Sequence, residues 1–148
     1  MLRQIDQRLC KAAISARHNA YAPYSKFKVG AALLDEFDNI HLGVNVENAA
    51  YPQGSCAEAG AISAMIAAGG QQIKVIAVSG AGVELCTPCG GCRQRIREFA
   101  NPQTEILICN ELAFARRFLL EELLPASNLS IFNGGALAYR DAGYSRPT

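Results

Sequence analysis

Three of the chain's six cysteines crowd into Cys86-Thr87-Pro88-Cys89-Gly90-Gly91-Cys92, and a fourth opens Cys56-Ala57-Glu58. Both groups stand where a loop turns into a helix. Cys89 and Cys92 are three positions apart and so share one helix face. Helix N-termini favour thiolates, because their unpaired N–H groups and the dipole lower a thiol pKa. Two such ends that meet would offer Cys56, Cys89 and Cys92 to one Zn²⁺ at about 2.3 Å each. Three protein ligands leave the fourth position for water, which is the catalytic pattern rather than the structural one. Zinc makes that water a nucleophile near neutral pH, and a carboxylate must then move the protons. Glu58 is the candidate. Residues two apart on a regular helix diverge, so Cys56 has to stand at the first turn for both groups to reach one site.

The rival readings of these cysteines are weaker. Buried structural thiols, or a structural Cys86–Cys89–Cys92 zinc knuckle, would leave Glu58 idle. A thioredoxin-like redox pair at Cys89 and Cys92 leaves Cys56-Ala57-Glu58 unexplained. Cys10 and Cys109 sit in apolar runs and read as core thiols. The only histidines, His18 and His41, read as surface or hairpin residues. No Gly-x-Ser-x-Gly elbow and no phosphate-cradling loop is present.

These groups need a scaffold, and 148 residues suffice for one domain, expected over 1–148. Hydrophobic residues are 50% and charged residues 18%, a globular composition. The balance of 14 Lys and Arg against 13 Asp and Glu leaves no footprint for nucleic acid or an anionic membrane. No apolar run reaches the roughly 20 residues of a spanning helix. The first residues are charged early and lack a signal-peptide core, so a soluble, cytoplasmic protein is expected. An amphipathic helix is expected over 5–20, then strands over 29–34 and 40–47 as a hairpin around the turn 35–39. An Ala-rich helix over 56–68 stops at Gly69-Gly70. Strand 73–79, loop 80–88, helix 89–99 and strand 105–109 follow. Residues 112–118 have no clear period, 119–124 read as a short helix, and the tail 134–148 as partly loose. Helices alternating with strands imply an α/β layer structure with parallel pairings, made mixed by the hairpin. Arg93-Gln94-Arg95-Ile96-Arg97 reads as a solvated helix face. Asn45 and Glu47, two apart on a strand, share a face in a largely apolar region, which favours ligand contact.

The pattern Cys-x-Glu followed by Pro-Cys-x-x-Cys is the signature of zinc deaminases of nucleobases. Over residues 15–126 the chain resembles the small homotetrameric zinc-dependent cytidine deaminases. The resembling stretches are 24–34 (Tyr-Ser-Lys-Phe-Lys-Val-Gly-Ala-Ala-Leu-Leu), 45–51 (Asn-Val-Glu-Asn-Ala-Ala-Tyr), 56–58, 87–94 and 121–125 (Glu-Glu-Leu-Leu-Pro), in that order. The resemblance implies a three-layer α/β/α sandwich around a mixed five-stranded sheet. It implies Cys56, Cys89 and Cys92 as ligands of Zn²⁺. It implies that Glu58 carries protons from the metal's water to ring N3 and then to the leaving amine. Asn45 and Glu47 would bond ribose hydroxyls, Phe27 would pack on the pyrimidine, and backbone at Ala57 would read the base edge. Ala49 and Tyr51 would reach a neighbouring subunit's site in a homotetramer.

Two departures from the family pattern stand out. The family often has Arg where this chain has Ala59, and that Arg is thought to offset the charge of the zinc thiolates. Three thiolates on Zn²⁺ carry net −1, so the helix ends and Arg93 are expected to compensate. An aromatic usually follows Leu-Leu-Pro closely; here Ala126-Ser127-Asn128-Leu129 intervene before Phe132. The expected activity is hydrolytic deamination of cytidine and deoxycytidine with release of ammonia, in pyrimidine salvage. The alternatives are the same chemistry on another aminopyrimidine nucleoside, and a non-catalytic zinc-stabilised binding protein. Editing of polynucleotides is the weakest, because neither a basic groove nor interleaved aromatics are visible.

Overall fold

A computed structural model describes residues 1–127. The elements are α1 (Gln4–Arg17), β1 (Gly30–Asp35), β2 (Ile40–Val44), α2 (Ala57–Ala67), β3 (Ile73–Ser79), α3 (Gly90–Glu98), β4 (Glu105–Cys109), β5 (Phe114–Leu119) and α4 (Leu120–Leu123), with a 3₁₀ turn at Tyr51–Gln53. The five strands form one sheet in the order β2-β1-β3-β4-β5. Among the described residues no helix is long and apolar enough to cross a membrane. The expectation for the tail 134–148, and the position of Phe132, lie outside the described residues.

The sheet separates two cores, because successive strand residues point to opposite faces. Ala32, Leu34, Val75, Ala77, Leu107 and Cys109 pack with Leu9 and Ala13 of α1 on one face. Ala31, Leu33, Val78, Ile106 and Ile108 pack on the other with Ala61 and Met65 of α2 and Ile96 of α3. This is the expected three-layer sandwich. Cys10 and Cys109 are free, buried core thiols, their sulfurs 2.7 Å apart.

The hairpin forms as expected, β1 and β2 pairing antiparallel. Buried Asp35 closes it: one oxygen accepts from the Phe37 and Asn39 amides at 2.8 and 2.9 Å, and the other meets His41 Nε2 at 2.7 Å. Parallel pairing is scarcer than the alternation implied. β1 is antiparallel to both β2 and β3, and only β3 and β4 form a parallel ladder among the described strands. The reason is the crossover through α2. It carries the chain past β1, so β2 and β3 run the same way with β1 wedged between them.

The fifth strand lies in the segment whose period could not be read. Phe114-Ala115-Arg116-Arg117-Phe118-Leu119 pairs antiparallel with β4. Its paired arginines hide the alternation, and each has a partner. The Arg116 guanidinium stacks 4.5 Å from the Phe118 ring centroid. Arg117 Nη2 donates to Asp6 Oδ2 at 2.6 Å.

Asp6 is fully buried in α1 and also accepts from the Arg3 amide, Nε and Nη2 at 3.0, 3.0 and 2.8 Å. Arg3 and Arg117 both pair further with Glu105 of β4. The cluster thus ties α1 to both strands at one sheet edge. Burial alone would lift the Asp6 pKa, but the hydrogen bonds and charge of Arg3, with the charge of Arg117, hold it below the ordinary carboxylate value. A carboxyl whose folded pKa is depressed contributes stability above its unfolded pKa, and loses it as pH falls through the folded one. Asp6→Asn is therefore expected to cost about 2–3 kcal/mol at neutral pH, less than a fully buried pair because Arg3 is half-exposed and screened. Urea unfolding from pH 7 down to 3 should show a shallower acid loss in the variant than in the parent.

Candidate active site

The two loop-to-helix junctions meet. Cys56 caps α2 and Cys89 caps α3, both with extended backbone (φ −78°, ψ 157° and φ −63°, ψ 162°). Their carbonyls accept the first helical bonds, from the Gly60 and Arg93 amides at 3.2 and 2.9 Å. Cys92 lies in the first turn of α3 and is buried. The three sulfurs lie within 4.8 Å of one another, with Cys56 and Cys89 3.9 Å apart. Three sulfurs on a tetrahedral ion at about 2.3 Å would stand about 3.8 Å apart. Cys86 is outside the triad, so the knuckle of Cys86, Cys89 and Cys92 does not form.

The ionisation of the thiols corrects one expectation. Helix ends were to lower the pKa of these cysteines, yet only Cys89 is lowered. There the Cys92 amide and the Cys92 and Cys56 thiols outweigh burial. Burial pushes Cys56 up, aided by the charges of Cys89 and Glu58. Cys92 is pushed far up by burial, by the Glu58 charge and by the two neighbouring thiols. Three sulfurs this close repel one another as thiolates, and a divalent cation between them offsets that repulsion. The donor set, its spacing and its need for positive charge fit Zn²⁺.

Glu58 follows Cys56 by two residues in the first turn of α2, and the extended backbone at Cys56 lets both reach one place. A cavity of about 170 Å³ is lined by Val29, Asn45, Cys56, Ala57, Glu58, Cys86, Thr87 and Cys89. Glu58 is only 4% exposed. Burial raises its pKa, while its own amide, the Cys92 thiol and the charge of Arg95 pull the other way. Ala57, fully buried, forms part of the cavity wall.

A wider cleft of about 360 Å³ shares Asn45 and Cys56 with that cavity and adds Tyr24, Glu47 and Tyr51. Glu47 Oε1 accepts from the Tyr24 and Ser25 amides at 2.9 and 3.1 Å. Hydrogen bonds from Ser25 and Tyr24, with the charge of Lys26, hold its carboxyl below the usual range, so it stays anionic. Asn45 is engaged with its own chain. Its Oδ1 accepts from the Val29 amide at 2.8 Å and its Nδ2 donates to the Phe27 carbonyl at 2.8 Å. Phe27 lines neither space; it borders a third recess, formed with residues 81–86, and its carbonyl accepts from Asn45 on the cavity wall. Ala49 and Tyr51 are exposed beside the cleft, Tyr51 at 82%. The structure thus brings together Cys56, Ala57, Glu58, Cys89, Cys92 and Asn45, with Glu47 and Tyr51 in the adjoining cleft.

The arginines of α3 do not form the one solvated face that their run of charge predicts. Arg93 is half-buried and braces the cysteine loop, donating to the carbonyls of Pro88 and Leu123 at 2.7 and 2.8 Å. Arg97 is buried and donates to Ser127 Oγ and the Ala100 carbonyl at 3.0 and 2.7 Å. Arg93 was expected to offset the thiolates, but its guanidinium is spent on carbonyls. Arg95, exposed on its outer side, sets Nη1 3.8 Å from Cys92 Sγ. Its position three after Cys92 was the signal, since such residues are neighbours on a helix.

Comparison with known proteins agrees with this geometry. A family model described as the cytidine and deoxycytidylate deaminase zinc-binding region matches residues 3–108. A cytidine deaminase of Sporosarcina psychrophila is 36% identical over 139 residues, spanning 94% of this chain and 96% of that protein. A cytidine deaminase of Halalkalibacterium halodurans is 38% identical over 121 residues, 82% of this chain and 92% of its own length. The crystal structure of cytidine deaminase from Burkholderia pseudomallei superposes with a TM-score of 0.78 at 39% identity, covering 86% of this chain and 100% of that one. The matched region contains every thiol of the triad and Glu58, and the chain belongs to the cytidine and deoxycytidylate deaminase family.

Proposed function

We propose that this chain hydrolyses the exocyclic amine of cytidine and deoxycytidine, giving uridine and deoxyuridine with release of ammonia. The observation that carries the reading is a buried carboxyl, Glu58, lining one cavity with Cys56 and Cys89 of the metal-binding triad. Zn²⁺ held by Cys56, Cys89 and Cys92 would supply a Lewis acid that generates the nucleophile near neutral pH. Glu58 is desolvated and its pKa is raised by burial, which suits a group that takes up a proton and passes it on. It takes one proton from the nucleophile and delivers it to ring N3, then takes the remaining proton of the hydroxyl added at C4 and gives it to the departing amine. Attack occurs at C4 of the pyrimidine ring. The backbone at Ala57 hydrogen-bonds the base edge within the cavity.

The anionic Glu47 carboxylate accepts from a sugar hydroxyl in the adjoining cleft. Asn45 positions the 27–29 loop, and a ribose hydroxyl shares its amide. Phe27, tied to Asn45 through its carbonyl, packs against the pyrimidine in this reading. Exposed Ala49 and Tyr51 at the mouth of the cleft support a homotetramer in which each subunit completes its neighbour's site. The physiological setting in this reading is cytoplasmic pyrimidine salvage, with a free nucleoside rather than a polynucleotide as substrate.

The test is ammonia release from cytidine by purified protein of known zinc content, beside a panel of aminopyrimidine nucleosides. One zinc per subunit and release from cytidine are expected. Zinc-loaded protein that turns over an analogue but not cytidine would move the reading to that substrate. Loss of fold on chelation with no turnover of any nucleoside would make it a zinc-stabilised binding protein.

A further inference from the structure

We propose that Arg95 is the cation that compensates the anionic zinc centre, acting through the Cys92 sulfur. The inference rests on the zinc-deaminase reading and concerns a residue for which that reading supplies no role. Three thiolates on a divalent ion leave one net negative charge. Cys89 is exposed and Cys56 half-buried, but Cys92 is buried, so water screens the charge least at the Cys92 sulfur. Position 59, in the first turn of α2, is alanine here.

The other arginines of α3 are committed elsewhere: Arg93 to the Pro88 and Leu123 carbonyls, Arg97 to Ser127 and Ala100. Arg95 alone of the three reaches a ligand sulfur, with Nη1 3.8 Å from Cys92 Sγ. Gly91 leaves room for this. A Cβ there would lie 3.1 Å from Arg95 Nη1, so the guanidinium folds over the first turn of α3 where a side chain would otherwise stand. A charge-assisted hydrogen bond to a thiolate draws electron density from the sulfur and leaves the metal more electrophilic. Arg95 is a positioning residue in this sense: it touches the ligand, not the substrate.

Arg95→Gln and Arg95→Lys, prepared as full-length chains beside the parent, test this. Three readouts are compared: zinc affinity by chelator competition, the sulfur-to-metal charge-transfer band of the Co²⁺-substituted protein, and kcat and KM for cytidine. Partners of a metal ligand typically change affinity or activity by about 10–100-fold, and the exposure of Arg95 puts the expected effect near tenfold. Arg95→Gln should weaken zinc by about that factor, shift the Co²⁺ band and lower kcat with little change in KM. Arg95→Lys, which keeps the charge, should recover part of each. Zinc affinity and a Co²⁺ band equal to the parent's in Arg95→Gln would overturn the inference, whatever happens to kcat. A parent chain that binds no zinc would overturn the zinc reading and this inference together.

Discussion

Glu58→Gln is expected to lower kcat for cytidine by about 10²- to 10⁴-fold, the range for losing a positioned proton carrier. Zinc content and thermal stability should stay close to the parent's. The side chain is 4% exposed in a cavity with two of the three ligands, so little water is at hand to take over its task. Glutamine fills the same volume and hydrogen-bonds in the same place, yet cannot pass a proton. Two properties make the expected split between activity and stability sharp. Burial raises the Glu58 pKa, which means that the charged form is disfavoured where it stands. Removing the charge therefore removes no stabilising ion pair. Stopped assays of ammonia release, with metal analysis and melting curves on the same samples, decide it. A rate within tenfold of the parent would place the proton carrier elsewhere.

Gly43→Ala is expected to be the most damaging single methyl in the sheet. A Cβ at Gly43 would come within 3.0 Å of the Ala57 carbonyl oxygen, the Ala61 amide nitrogen and the Gly60 carbonyl carbon. On the facing side, a Cβ at Gly60 would sit 3.3 Å from the Gly43 Cα. Strand β2 and helix α2 therefore touch backbone to backbone, and nothing flexible can yield. Overpacking of this kind costs about 3 kcal/mol, and more where backbone must shift. For a chain of this size that is a drop in Tm on the order of 10 °C. Because α2 carries Cys56 and Glu58, zinc content should fall with stability. Gly90→Ala is the control: a Cβ there meets nothing within 4 Å, and the variant should melt like the parent. Equal melting of the two variants would show that α2 can move away from β2 without loss.

The metal triad was legible because its information is local. Cys56, Cys89 and Cys92 each sit at a helix start that Pro88 and the Ala-rich run announce, and zinc chemistry dictates what such a set is for. Strands β3 and β4 were legible to the residue, since Ile73–Ser79 and Glu105–Cys109 are short β-branched or apolar runs between breakers. Strand β5 was not, because adjacent Arg116 and Arg117 break the period and their partners, Phe118 and Asp6, are visible only in three dimensions. The order of the strands was also beyond local signals, since nothing in the α2 segment says that the crossover skips β1. The α3 arginines failed for a similar reason. One run of charge divides into a brace for the cysteine loop, a buried anchor and a neighbour of Cys92, and spacing alone separates only the last.

The backbone contact of Gly43 with α2 has a consequence for how this enzyme can be altered. On the α2 side the ligand cage has no adjustable spacer, so mutations there either leave the geometry as it is or break it. The α3 side rests on the sheet through Ile96, a side chain that can be exchanged for smaller or larger ones. Directed evolution of metal preference or turnover should therefore accumulate its productive changes in α3 and the loop before it, and a library confined to the start of α2 should yield mostly dead clones.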